Sequence, residues 1–131
     1  RKTDFSRACK GKYFYEDSIY KRKMIEVEDE LKNEGKKPVF LICSDEKVRE
    51  ENFRGMNYII GNGHLIEDMY SFAKCDFLIG PPSTYTAWAS FYGNVPVKYL
   101  TGDLTPVISM QDFKIVENIS QIFDLLRCDA R

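Results

Sequence analysis

Short apolar runs alternate along the chain with longer stretches in which apolar residues recur at helical spacing. The first such stretch, residues 17–34, places one apolar stripe on a helix face, formed by Tyr20, Met24, Val27 and Leu31. Its remaining positions are mostly charged, which is typical of a solvated helix face. Asp17 is a candidate N-cap and Gly35 a candidate C-terminal stop. The pattern therefore predicts a long amphipathic helix near the start of the chain.

The apolar runs that follow are predicted to be strands. They cover residues 38–43, 57–60, 76–79 and 95–100, and a fifth strand is predicted at 113–116. Helical patterns separate them at 44–53, 65–73 and 83–92, and Asn118 with Gln121 resembles a capping pair for a last helix. Strands that alternate with helices are typical of a parallel sheet built from βαβ units. The prediction is a three-layer, Rossmann-like α/β domain with a mostly parallel sheet, spanning residues 1–131 as a single domain.

Length and charge disfavour two classes of protein, general nucleic-acid binders and membrane-spanning proteins. The chain has 131 residues, with 19 Lys and Arg against 20 Asp and Glu. This balance disfavours a general nucleic-acid binder, although it leaves room for a local basic site. The longest apolar run, residues 39–43, is far shorter than the ~20 residues that a membrane span needs, so no transmembrane segment is expected. The domain is expected to be cytoplasmic, or peripheral at the inner membrane.

Cysteine and histidine usage disfavours a metal site. The cysteines at positions 9, 43, 75 and 128 form no CxxC, and free thiols in a reducing compartment are favoured over disulfides. His64 is the single histidine and lies in a Gly-rich turn, where a surface or helix-start role is favoured over catalysis. A zinc site is therefore not expected. No cofactor is expected either, because the chain contains no GxxxxGK(S/T) and no GxGxxG motif. Trp88 and Phe91 are read as core residues rather than as a stacking platform.

The loop after the third predicted strand is the strongest candidate site. Residues 80–84 read GPPST and connect an apolar run to a helical pattern. Gly80 allows close backbone approach, while Ser83 and Thr84 bring hydroxyls to the positive end of a helix, which is an arrangement suited to an anion. The alternative interpretation is that Ser83 is only an N-cap and the prolines only stiffen the turn.

A second candidate loop follows the first predicted strand. Ser44, Asp45 and Glu46 come directly after the apolar run 39–43. The Asp45 carboxylate could accept two hydrogen bonds from adjacent donors such as a guanine N1–H and 2-amino group. The alternative is that Asp45 caps a following helix. In an open parallel sheet, ligands bind beyond the carboxyl ends of the strands, so the two loops could share one ligand.

Several segments together resemble one family. RKTDF at the start of the chain resembles the end of the His-x-Arg-Arg-x-Asp motif of fucosyltransferases. GKYFYEDSIY at 11–20, FLICSD at 40–45 and GPPSTYTAWASFYGN at 80–94 resemble the corresponding segments of bacterial alpha-1,2-fucosyltransferase-like glycosyltransferases. The last segment is the most specific of these, and the likeness extends over residues 1–100.

The resemblance implies a donor-binding domain. Members of that family place two Rossmann-like domains around a cleft, the GT-B arrangement, and the C-terminal domain holds a GDP-sugar. By position, Arg1 would be the catalytic residue on the donor's β-phosphate and Asp4 a supporting donor-binding residue. Ser83 and Thr84 would bind the diphosphate, and Asp45 would read the guanine. The resemblance implies inverting transfer, of fucose above other sugars, to a glycan hydroxyl without a metal.

The chain also departs from the family's pattern. Lys2 stands where a second arginine is usual, which keeps the charge and loses the bidentate fork. The motif's histidine would precede Arg1, and the N-terminal half that would bind most of the glycan acceptor is expected to be absent from this chain. Two other hypotheses remain open: a non-catalytic nucleotide- or phosphate-binding Rossmann-like module, and a structural fragment with an incomplete site.

Overall fold

The computed structural model describes residues 15–118 and residue 120. Within them the chain is mixed α/β. Three α-helices and four short strands follow one another as α1 (Asp17–Asn33), β1 (Phe40–Ile42), β2 (Tyr58–Ile60), α2 (Leu65–Phe72), β3 (Leu78–Gly80), α3 (Thr84–Gly93) and β4 (Val97–Tyr99). Two 3₁₀ turns, Glu50–Phe53 and Met110–Asp112, complete the described elements. The predicted alternation of strands and helices is confirmed, and each strand is shorter than its apolar run.

The strands form two parallel pairs. β1 pairs with β2 in the register Phe40 to Tyr58, and β3 pairs with β4 in the register Leu78 to Val97. Within the described residues these pairs stay separate two-stranded sheets and do not join into one. The parallel direction that the sequence predicted is therefore observed, whereas a continuous sheet is not.

Two predicted elements differ from the structure. The stretch 44–53 was expected to be a helix, but only the 3₁₀ turn Glu50–Phe53 forms there, and residues 45 and 46 form a bend. Residues 113–116 form a single antiparallel bridge, from Lys114 to Val97, instead of a strand. The last helix lies outside the described residues apart from Ser120, whose N–H donates to the Asn118 side-chain oxygen.

Helix α1 follows its apolar stripe. Met24, Val27 and Leu31 are buried, and the chain leaves the helix at Gly35, whose positive φ of 74° suits a residue without a Cβ. The N-cap position falls on Glu16 and not on Asp17, which lies in the first turn. An acidic residue there still interacts favourably with the positive end of the helix.

Helices α1 and α3 contact opposite faces of the β3–β4 pair. Leu78 of β3 packs in one core cluster with Ala87 of α3, and the next residue, Ile79, packs in a second cluster with Val27 of α1. Because side chains alternate between the two faces of a strand, these neighbours must point to opposite sides. The strand pair is therefore covered by helices on both sides.

Helices α2 and α3 meet closely at their C-terminal ends. A Cβ at Gly93 would lie 2.0 Å from the backbone oxygen of Ala73, so no side chain fits there. The helix ends at Asn94, which adopts the left-handed conformation with φ 57°. The dipeptide of Gly93 and Asn94 thus allows both the close approach and the sharp exit towards β4.

Candidate functional site

The loops after β1 and β3 open onto one groove. The groove has a volume of about 1970 Å³, and its lining includes three of the predicted site residues, Asp45, Ser83 and Thr84. The other two, Arg1 and Asp4, lie outside the described residues. The structure therefore brings the two candidate loops to the same surface.

Ser83 is the N-cap of α3. Its backbone is extended, with φ −148° and ψ 153°, and its Oγ accepts a hydrogen bond from the Thr86 N–H at 3.0 Å. The same Oγ lies 2.9 Å from the Thr86 hydroxyl, which is buried. The interpretation of Ser83 as a helix cap is confirmed. This bonding fixes the orientation of the first turn of α3 at the groove.

Thr84 differs from Ser83 in its exposure. It is the first residue of α3 and is exposed at the positive end of the helix. The turn behind it is held by the hydrogen bonds between Ser83 and Thr86. Thr84 is therefore presented to the groove from a turn of fixed geometry.

Asp45 lies in a bend after β1. The structure has no helix directly after this residue, so the interpretation of Asp45 as a helix cap is wrong. The local turn is instead formed by Ser44, whose Oγ accepts a hydrogen bond from the Glu46 N–H at 3.1 Å. Asp45 is exposed and lines the groove.

A half-buried thiol and a buried carboxylate lie beside this loop. Asp68 of α2 is only 5% exposed, and one of its oxygens accepts a hydrogen bond from the Asn62 N–H at 3.2 Å. Burial, and after it the neighbouring Asp68 carboxylate, together raise the pKa of the Cys43 thiol to about 12. A Cβ at Gly61 would lie 2.6 Å from the Cys43 sulfur, so the turn after β2 packs directly on this pair.

The sequence prediction missed this cluster, although a signal existed. Asp68 lies three positions after Leu65 and four before Phe72, so it falls on the apolar stripe of α2. A charged residue on such a stripe needs a polar partner inside the protein. Cys43 and Cys75 are free, as predicted, although they are half-buried and not fully buried, and the other two cysteines lie outside the described residues.

His64 and the aromatic residues complete the surroundings of the site. His64 is the N-cap of α2, and its Nδ1 accepts a hydrogen bond from the Glu67 N–H at 3.3 Å, which confirms the predicted helix-start role. Trp88 is half-buried and stacks on Tyr92, with ring centroids 4.6 Å apart. Phe91 is 49% exposed, so the prediction that it belongs to the core is wrong.

Metal ligands and membrane spans were sought in the part of the chain that the structure describes. No group of three or more His, Cys, Asp or Glu side chains is arranged there to hold a metal ion. None of the helices described there has the length and apolar character to cross a bilayer.

Comparison with known proteins gives no assignment. No protein-family model, no curated protein and no solved structure matches the chain.

Proposed function

We propose that this chain is the donor-binding domain of a glycosyltransferase that transfers a sugar, fucose above others, from a GDP-sugar to a glycan hydroxyl with inversion. The observation that carries the proposal is that Asp45 and the Ser83–Thr84 pair, predicted as parts of one site, line the same groove. The proposal also assigns the domain to the three-layer, Rossmann-like class, with its ligand beyond the carboxyl ends of the strands.

The diphosphate is assigned to the start of α3. Thr84 offers an exposed hydroxyl at the positive end of that helix, while the Ser83 cap holds the turn in a fixed geometry. A helix N-terminus binds phosphate oxygens through its N–H groups and its dipole. Breaking the bond between sugar and phosphate develops negative charge on the departing GDP. Donors already oriented towards that charge stabilise the transition state without reorganisation.

The guanine is assigned to Asp45, and the β-phosphate to Arg1. A carboxylate can accept both hydrogen bonds of the N1–H and 2-amino edge of guanine, which adenine and uracil do not present. The guanidinium of Arg1 would bind the β-phosphate through paired hydrogen bonds and supply the positive charge that a metal ion gives in other transferases. Asp4 is assigned a supporting role next to it. A glycan acceptor would then need a second domain to hold it.

The decisive experiment is a thermal-shift titration with GDP, GMP, ADP and UDP. Ligand present at about 100 times its Kd stabilises the folded state by about 2.7 kcal/mol, which is readily measured as a rise in Tm. We expect GDP to raise Tm more than ADP or UDP, and Asp45→Asn to remove that preference. Glu46→Gln is the matched control, because Glu46 is the adjacent exposed carboxylate. Equal Tm shifts for all four nucleotides would refute the guanine assignment and favour a general phosphate-binding module.

The phosphate assignment has its own test. Thr84→Ala is expected to weaken GDP binding more than guanosine binding, and Thr84→Ser to restore it, since the serine keeps the hydroxyl. Arg1→Ala is expected to discriminate between GDP and guanosine in the same direction. If either alanine variant weakens both ligands equally, that residue has no phosphate role.

A further inference from the structure

We draw no further inference here: the strongest candidate, the partly exposed aromatic cluster of Tyr70, Trp88 and Tyr92 on α2 and α3, is a surface patch, and nothing in the described residues shows what covers it.

Discussion

Lys23 is a buried lysine whose removal should cost more stability than any surface ion pair. It is 2% exposed, and its Nζ lies 2.9 and 3.2 Å from the two carboxylate oxygens of Glu26 and 3.0 Å from the backbone oxygen of Pro106. Glu26 in turn accepts a hydrogen bond from the Ile108 N–H at 3.0 Å. This pair therefore ties α1 to the segment that contains Pro106 and Ile108.

The perturbation is Lys23→Met, which keeps most of the side-chain volume and removes the charge. Glu26, only 13% exposed, would then be a buried carboxylate without its cation, and Pro106 would lose its donor. Removing one partner of a buried pair costs about 3–5 kcal/mol. For a domain of this size, a loss of about 3 kcal/mol lowers Tm by about 10 °C.

The measurement is urea unfolding followed by the fluorescence of Trp88, the single tryptophan. Lys36→Met is the matched control, because Lys36 also contacts a glutamate, Glu34, at 3.3 Å, but its side chain is 67% exposed. An exposed pair contributes at most about 1 kcal/mol. In the Lys23→Met background, Glu26→Gln should recover part of the loss, since the amide still accepts from Ile108 and carries no charge. Equal losses for Lys23→Met and Lys36→Met would refute the reasoning.

Three further predictions concern the cap, the helix contact and the thiol. Ser83→Ala should lower the free energy of unfolding by about 1 kcal/mol, because the Thr86 N–H loses its acceptor. Urea unfolding measures this loss for Ser83→Ala and for Thr84→Ala. Equal losses of stability in the two variants would contradict the cap. Gly93→Ala should lower the free energy of unfolding by about 1–3 kcal/mol or more, because the new Cβ would meet the Ala73 backbone. An unchanged Tm would exclude the close contact between Gly93 and Ala73. The pKa of Cys43 rises from about 9 to about 12 on folding, so the folded form holds the thiol proton more tightly. The contribution of Cys43 to stability is therefore complete below about pH 9 and is lost as pH rises towards 12. Between pH 9 and pH 12, the free energy of unfolding should depend less on pH in Cys43→Ala than in the unchanged chain. Parallel pH curves for the two proteins would refute the raised pKa of Cys43.

Local patterns predicted the elements because they depend on neighbouring residues alone. The stripe of Met24, Val27 and Leu31 is a property of helix periodicity, so α1 was predicted to within one residue at its C-terminal end. Ser83 was predicted as an N-cap for the same reason, since its partner Thr86 lies three positions away. Where the pattern was ambiguous, as at 44–53, the helix prediction failed. A 3₁₀ turn with Phe53 buried forms there instead.

The candidate site was predictable only in part. Residues that follow apolar runs identified Asp45, Ser83 and Thr84, because a strand exposes its functional groups where it ends. The Cys43–Asp68 pair was not found, because its contact joins the residue after β1 to α2 across 25 positions of the chain. Phe91 was assigned to the core for a related reason. Periodicity shows which residues share a helix face, but it does not show which face is covered.

The sequence by itself determined the α/β class, the parallel direction of the pairs, the cap at Ser83 and the loops that carry the candidate residues. Each of these follows from hydrophobic period or turn chemistry over a few residues. Only the tertiary structure decided that, within the described residues, the strands form two separate pairs with a groove between β1 and β3. Hydrophobic runs indicate that a strand is buried, but they do not indicate which strand lies at each of its edges. Pairing is set by contacts between distant parts of the chain, as in the pairing of β1 with β2 and of β3 with β4.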